Sequence, residues 1–303
     1  MCGVIGLLIR DPALEPELGR MLVPMVEALA ERGPDSSGIA LYSRPDPDRR
    51  AAADPITQVS LGTDGTVDWE DLASWVGTRF PAAVVQVSGS GARVDVATTR
   101  VSEFTGSLRE AWPLVYVFGT GSMLTVVKDI GRPEDTCRRY GVASWSGHLA
   151  VAHTRMATES AVTARHAHPF VPGPDMCVVH NGSFSNHASV RRRLQADGVH
   201  FDSDNDSEVA ARLLAQRLAG GDDLDEATRW VMKEMDGFFT LVVGTPTGMS
   251  VVRDAFACKP AAIAVTDAYV AVASEYRALA GLPGVEQAQI FEPQPEVVYT
   301  WTL

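Results

Sequence analysis

The chain has 303 residues, 46% of them hydrophobic, so it carries enough apolar material for one large domain or two ordinary ones. Its 26 lysines and arginines stand against 38 aspartates and glutamates, and the net charge of −12 repels nucleic-acid backbones and anionic membrane surfaces. No stretch approaches the ~20 apolar residues that span a bilayer, and the N-terminus lacks the basic segment of an export signal. We therefore expect a soluble cytoplasmic protein that binds neither nucleic acid nor membrane.

The four cysteines are widely separated along the chain and form no CxxC motif. This spacing argues against a zinc site, an iron–sulfur cluster or a thiol-exchange pair, and it fits free thiols in a reducing compartment. Three of them, Cys137, Cys177 and Cys258, are predicted to be buried packing residues. We expect no metal and no cofactor on this chain.

The predicted elements begin with an apolar run at 3–9, which is typical of a buried strand. A helix is predicted over 17–32, because its apolar residues recur at intervals of three and four and a Gly-Pro pair follows. A polar stretch rich in proline and aspartate begins near residue 44. We interpret about 44–146 as an insertion into one domain that spans 1–303. Up to residue 180 the other predicted strands lie at 39–43, 82–87, 94–98, 113–118, 123–128, 149–153 and 176–180.

The last third of the chain contains two predicted helices, over 207–218 and 224–235. Short β-rich runs separated by turn residues follow them. Strands and helices thus come in blocks and not as repeated βαβ units, which favours an α+β fold with helices on the outer faces of sheets. The predicted strands of this part lie at 238–243, 250–253, 261–265, 269–273 and 297–301.

Cys2 directly follows the initiator methionine, whose removal is favoured when the next side chain is small. Removal of Met1 would leave a free α-amine beside the thiol of Cys2. The ordinary pKa of such an amine is ~7.7–8.0, so part of it is neutral at pH 7 and can accept the proton of a nucleophile. Cys2 taken alone also fits the more common role of a free cysteine, a small apolar residue at the start of a core strand.

Four polar clusters follow at the ends of predicted elements, and each has a structural and a chemical interpretation. The turn-forming composition of 32–38 is ordinary for a loop. Arg155, just after a strand, is either solvated or presents its planar guanidinium to a carboxylate. Asn181 and Gly182 form either a turn or a pair of oxyanion donors. Asp206 at a helix start is either a cap or the partner of an ammonium group.

Taken in order, the motifs MCGVIG, RGPDSSG, HTRMAT, AHPF, HNG and DSE between residues 2 and 208 resemble those of class II glutamine amidotransferases. These enzymes are N-terminal nucleophile hydrolases, so the resemblance implies an α+β fold, a four-layer αββα sandwich with two mostly antiparallel sheets between helices. The sequence departs from the family pattern at two places in the glutamine loop, the segment after Arg155 that closes over the substrate in this family. Met156 stands where many members have Trp, and Glu159-Ser160 replaces the familiar His-Gly, which puts the usual closure of that loop in question.

The same resemblance assigns roles to individual residues. Cys2 would attack the γ-amide carbon of glutamine while its own α-amine moves the proton, and Asn181 with the Gly182 N–H would form the oxyanion hole. Arg155 would bind the α-carboxylate of glutamine, and Asp206 would bind its α-ammonium group. Thr158 would line the same pocket, Arg32 would help to fix the N-terminal segment, and His180 would have a supporting role.

The longer pattern, with HTRMATESAVTARHAHPF, DNDSE and FACKP, is most similar to the separate amidotransferase-like subunit of glutamate synthase-like and N-methylglutamate synthase complexes. It implies two partners, a glutamate synthase-like subunit that carries FMN and an iron–sulfur cluster, and a glycine-repeat β-helical subunit. Only 24 residues (280–303) follow Leu279, so the chemistry that uses the ammonia is expected on another chain. Two alternatives stay open: a stand-alone amidohydrolase, and a non-hydrolytic subunit that binds glutamate or γ-glutamyl groups.

Overall fold

The computed structural model describes residues 2–44, 54–157 and 161–303. Within these ranges the strands pair antiparallel into three sheets, and helices lie between them in sequence. In chain order the elements are β1 (Gly3–Ile9), α1 (Leu18–Ala28), β2 (Ser36–Tyr42), β3 (Ile56–Thr63), α2 (Trp69–Arg79), β4 (Val84–Ser88), β5 (Gly91–Ala97), α3 (Val101–Ala111), β6 (Val115–Gly121), β7 (Leu124–Ile130), α4 (Pro133–Arg139), β8 (Leu149–Arg155), β9 (Phe170–Gly173), β10 (Met176–Phe184), α5 (His187–Ala196), α6 (Asp206–Ala219), α7 (Leu224–Glu234), β11 (Gly237–Thr245), β12 (Gly248–Arg253), β13 (Ala262–Val265), β14 (Tyr269–Ala273), β15 (Gln289–Phe291) and β16 (Tyr299–Thr302).

Two of the sheets pack face to face. The first has seven strands in the order β15-β13-β14-β1-β8-β2-β7, and the second has five in the order β16-β12-β11-β10-β9. The central strand β1 shows why they stack: Val4 and Leu8 join the core between the sheets, whereas Ile5 and Leu7 face the opposite side. At Gly6 a Cβ atom would lie 2.4 Å from Met249 Sδ, so the sheets approach each other closely there.

Helices cover both outer faces of this pair. The apolar side of α1 packs on the outer face of the first sheet, and α6 and α7 pack on that of the second. The layers are therefore helix, sheet, sheet and helix, which confirms the predicted α+β sandwich. Helix α1 ends at Ala28, earlier than the predicted 32, because the chain tightens into a 3₁₀ turn over 30–32.

A third sheet of four strands, in the order β4-β5-β3-β6, has a hydrophobic core of its own beneath α2 and α3. The rings of Phe80 and Phe104 meet edge to face in that core, 5.2 Å apart. Strand β7 and helix α4 also fall within 44–146, yet β7 pairs with β2 of the first sheet and α4 packs beside α1. The separate unit therefore extends from β3 to β6, and the interpretation of the whole stretch as an insertion stays a prediction.

All four cysteines are free thiols. Cys137 and Cys177 are buried, as predicted, but Cys258 is exposed, so its predicted burial was wrong. The reason is local, because the loop after β12 turns around the Asp254 carboxylate, which accepts hydrogen bonds from the N–H groups of Phe256 and Ala257. No helix in the described ranges is both long enough and apolar enough to cross a membrane.

Candidate active site

A cavity of about 460 Å³ opens where β1 and β8 of the first sheet approach β10 of the second and the start of α6. Six residues predicted from the sequence line it together, although they are up to 204 positions apart, from Cys2 to Asp206. Arg32 lies behind this cavity, and Thr158 lies outside the described residues. The lining consists of Cys2, His153, Arg155, Met156, His168, His180, Asn181, Gly182, Ser183, His187, Asp204, Asn205, Asp206, Ser207 and Lys259.

The backbone of Cys2 is held from two directions. Its carbonyl oxygen accepts hydrogen bonds from Arg32 Nε at 2.9 Å and from Asn181 Nδ2 at 3.2 Å. Arg32 is itself buried and fixed by an ion pair of 2.6 Å between its Nη1 and Glu275 Oε1, and this hydrogen bond is the main reason why the pKa of Glu275 is lowered. The thiol lies 3.7 Å from the Met156 carbonyl oxygen. The thiol of Cys2 is therefore presented to the cavity from a fixed backbone.

The N–H of Gly182 points away from its partner strand. Gly182 stands opposite Phe239 of β11, whose own N–H and C=O are bonded to Asp254, so the pair does not exchange backbone hydrogen bonds. On its other side, β9 pairs only with the first part of β10. Only glycine fits here, because φ is 149° and a Cβ atom would lie 1.8 Å from the Phe238 carbonyl oxygen. The Gly182 N–H and the second N–H of the Asn181 amide therefore form a pair of donors beside Cys2.

Asp206, the first residue of α6, is oriented by three neighbours. Its Oδ2 accepts a hydrogen bond from the Phe184 N–H at 2.9 Å, and its Oδ1 accepts one from the Ser207 hydroxyl at 3.2 Å. Because that hydroxyl donates to the carboxylate, it accepts from His180 Nδ1 at 2.7 Å, which places the imidazole proton on Nδ1. Burial lowers the pKa of His180 to about 4, so the ring is neutral at pH 7. His180 thus supports Asp206 through Ser207.

Arg155 projects into the cavity from the end of β8. The chain after it is tied to the 32–38 loop, since the Asp35 N–H donates to the Arg155 carbonyl at 3.1 Å and the Ala157 N–H donates to Asp35 Oδ2 at 2.8 Å. Arg155 Nη1 also donates to the Ala161 carbonyl at 3.2 Å. Burial lowers the pKa of Arg155, and electrostatic interactions with Cys2 and Asp35 oppose this effect. A guanidinium held in this way suits a carboxylate ligand.

Two further histidines of the cavity, His153 and His168, were not identified as site residues from the sequence. The rings of His153 and His168 stack 4.2 Å apart, and His168 Nδ1 accepts a hydrogen bond from the His180 N–H at 3.1 Å. Burial lowers the pKa of His153 to about 3 and that of His168 as well, so both rings are neutral packing elements behind β10. Among the described residues no group of three or more His, Cys, Asp and Glu side chains is arranged to hold a metal ion.

Lys259 and Ser207 were also missed. Lys259 brings a positive charge to the cavity from the loop after β12, and this charge contributes to the lowered pKa of His180. Both residues lie inside motifs that the sequence displays, FACKP and DSE. Their positions were visible, but their roles depend on contacts between segments that are far apart in the chain.

A family model for a glutamine amidotransferase domain matches residues 153–281. The glutamine amidotransferase-like protein GlxB of Rhizobium meliloti is 43% identical over 302 residues, covering 99% of this chain and 98% of GlxB. This chain belongs to the glutamine amidotransferase family. A putative glutamine amidotransferase of Methanothermobacter thermautotrophicus is 30% identical over 308 residues, and the match covers 99% of each chain.

The fold of this family member agrees with a solved structure. Glutamine phosphoribosylpyrophosphate amidotransferase from B. subtilis matches with a TM-score of 0.60 at 18% identity. The match covers 99% of this chain and 49% of that one, so this chain spans about half of its length. At this identity the likeness concerns the fold alone.

Proposed function

We propose that this amidotransferase hydrolyses the γ-amide of glutamine, with Cys2 as the nucleophile once Met1 has been removed. One observation carries the proposal: a thiol at the second residue, two oxyanion donors and two side chains of opposite charge line the same cavity. A catalytic nucleophile, donors for its intermediate and binding groups for a zwitterion are the parts that amide hydrolysis of a free amino acid needs.

Recognition of glutamine follows from the charges. The Arg155 guanidinium binds the α-carboxylate, and the Asp206 carboxylate, oriented by Ser207 and the Phe184 N–H, binds the α-ammonium. A site that pairs both ends of an amino acid discriminates strongly against amides that lack either group, because its buried polar atoms would then stay unpaired. This arrangement favours glutamine over a peptide or a simple aliphatic amide.

The reaction proceeds in two halves. The Cys2 thiol gives its proton to the α-amine, the thiolate attacks the γ-carbonyl carbon, and the oxyanion accepts hydrogen bonds from Asn181 Nδ2 and the Gly182 N–H. The protonated amine then passes its proton to the leaving nitrogen, so the C–N bond breaks, ammonia departs and a γ-glutamyl thioester remains. Water, deprotonated by the same amine, attacks the thioester and releases glutamate and the thiol. Loss of one oxyanion donor typically costs ~10²–10³ in turnover.

The test is release of ammonia from glutamine by protein whose N-terminus has been checked by intact mass. We expect activity in the wild type and none in Cys2→Ala. The matched control is Cys258→Ala, which removes an exposed thiol outside the cavity lining and should leave the rate unchanged. Equal ammonia release by Cys2→Ala and the wild type would disprove the proposal.

We further propose that the ammonia passes to a separate synthase of the glutamate synthase or N-methylglutamate synthase type. That partner would carry the FMN and the iron–sulfur cluster, and a glycine-repeat β-helical subunit would complete the complex. The resemblance of the longer motifs supports this proposal. So does an exposed aromatic pair next to Gly182, in which the rings of Phe238 and Phe256 lie 5.3 Å apart and Phe256 is 73% exposed.

The co-purified complex separates this proposal from a non-hydrolytic role. Cys2→Ala should abolish synthase activity with glutamine while activity with added ammonium salt stays at the wild-type level. Phe256→Ser, which changes no cavity residue, should weaken co-purification of the synthase. Synthase activity that needs this chain but survives Cys2→Ala with glutamine would instead indicate a binding subunit.

A further inference from the structure

A second cavity, of about 310 Å³, lies on the far side of the segment that leads into α6. Its walls come from α3 and β6 of the small sheet, β7 of the first sheet and β9 of the second. Asp202 and Ser203 line this cavity, whereas Asp204–Ser207 line the active-site cavity, so the two are separate spaces. A volume near the lower end of the ~300–1,000 Å³ of small-molecule pockets suits a ligand of few atoms.

Part of the charge in this cavity is already compensated. Arg212 Nη2 lies 2.7 Å from Asp202 Oδ2 and 3.1 Å from Glu208 Oε1, and Arg109 Nη2 lies 3.9 Å from Asp202 Oδ1. These two arginines and two carboxylates balance each other. Any excess of charge must therefore come from the other ionisable residues of the lining.

Those residues are two cations, Lys128 and Arg165. The Lys128 ammonium lies 5.1 Å from the ring centroid of Phe118 and 5.0 Å from that of Phe170, and the Arg165 guanidinium lies 4.9 Å from that of Tyr116. Lys128 is only 5% exposed, and in the described part of the chain its ammonium makes no hydrogen bond or ion pair. Aromatic faces attract a cation but do not replace its water, so a buried ammonium held only by rings lacks an anionic partner.

We propose that this cavity binds a small organic anion whose carboxylate or phosphate group contacts Lys128 and Arg165. The apolar part of the ligand lies against Val117, Val171 and Phe170, which line the same space. The site supplies two cations, an aromatic wall and an enclosed volume, and the ligand supplies the anionic contact to the Lys128 ammonium that no described residue makes. The Asp64 carboxylate also influences Lys128, but it lies outside the lining and accepts a hydrogen bond from the Ala164 N–H. The proposal is independent of glutamine hydrolysis, since the ligand touches no residue assigned to that reaction.

Binding should be linked to protonation of Lys128. Burial lowers the pKa of this lysine to about 7, although the carboxylates of Glu208, Asp64 and Asp202 act to raise it. A bound anion stabilises the ammonium form, so binding takes up a proton near pH 7.5 and weakens about tenfold for each further unit of pH. The titratable and charged groups that line the cavity or interact electrostatically with Lys128 are Asp64, Arg109, Tyr116, Arg165, His168, Asp202, Glu208 and Arg212.

Isothermal titration of the full chain at pH 6.5 with succinate, glycerol 3-phosphate and glycerol tests the proposal. We expect at least one of the two anions to bind and neutral glycerol not to bind; which anion binds distinguishes a carboxylate from a phosphate ligand. Titration of the better anion at pH 7.5, in two buffers that differ in ionisation enthalpy, should show proton uptake.

Lys128→Met should weaken binding of that anion at least tenfold, and Arg165→Gln should weaken it as well. The matched control is Arg192→Gln, which removes an exposed cation of α5 outside the cavity. If Lys128→Met does not fold, the affinity of Arg165→Gln for the anion alone tests the proposal. Failure of both anions to bind, or an affinity that stays unchanged in these variants, would overturn the proposal.

Discussion

Lys128→Met should make the protein more stable at neutral pH. Folding takes this ammonium out of water, and burial lowers its pKa from the ordinary 10.5 to about 7. A difference of about 3.5 pKa units corresponds to an upper limit of about 5 kcal/mol, at about 1.4 kcal/mol per unit. Methionine keeps a similar length against Phe118 and Phe170 without a charge to desolvate.

Proton linkage gives the direction in which the free energy of unfolding changes with pH. Between pH 7 and 10.5 the unfolded chain holds a proton on Lys128 that the folded chain has lost, so the free energy of unfolding of the wild type rises with pH in this window. The destabilisation is complete below pH 7 and vanishes above 10.5. From pH 7 to 9.5 the wild type should gain about 3 kcal/mol relative to Lys128→Met. Urea unfolding of both proteins at the two pH values measures this difference, and parallel pH dependences would refute a buried, neutralised lysine.

Three further substitutions test the active site. Gly182→Ala forces a side chain onto a positive φ and into a carbonyl oxygen of β11, so we expect a lower melting temperature and little ammonia release; wild-type values for both would contradict the described backbone. Ser207→Ala removes the hydroxyl that orients Asp206, a hydrogen bond to a charged group worth about 1.5–3 kcal/mol, and should raise KM for glutamine roughly tenfold or more at a similar kcat. An unchanged KM would show that this contact is dispensable. Arg32→Gln loosens the Cys2 backbone and should lower kcat roughly ten- to hundredfold at saturating glutamine, whereas a kcat within about twofold of wild type would show that the anchor is not needed.

The central strands and the α+β class could be predicted because the strands are strongly apolar, whereas the four-layer sandwich was expected from the family resemblance. The run at 3–9 is buried at every position of β1, and such runs are visible without knowledge of their neighbours. In the small sheet, β4, β5 and β6 were predicted close to their observed positions, but β3 was missed, because Thr57, Gln58 and Ser60 interrupt its apolar residues and its hydrophobic pattern is weak. The helices α2 and α3, each only 11 residues long, were not identified there for a similar reason, since each buries just two side chains.

For the site, the sequence located the groups but not the contacts that orient them. Cys2, Arg155 and Asp206 stand in motifs at the ends of elements, so their shared location could be expected. The connection from His180 through Ser207 to Asp206 could not be predicted. It joins segments 27 positions apart, and the orientation of the Ser207 hydroxyl is set only by the fold. The burial of Lys128 was hidden in the same way, since it depends on rings from β6 and β9.

The most direct test of Cys2 as the nucleophile is peptide mass spectrometry after reaction with an electrophilic γ-diazoketone analogue of glutamine. The account predicts a label on the N-terminal peptide, which begins with Cys2 and lacks Met1, and protection of this peptide by excess glutamine. The exposed thiol of Cys258 serves as the internal comparison and should not show that protection. An N-terminal peptide that retains Met1, or a label on Cys258 with none on Cys2, would contradict the account.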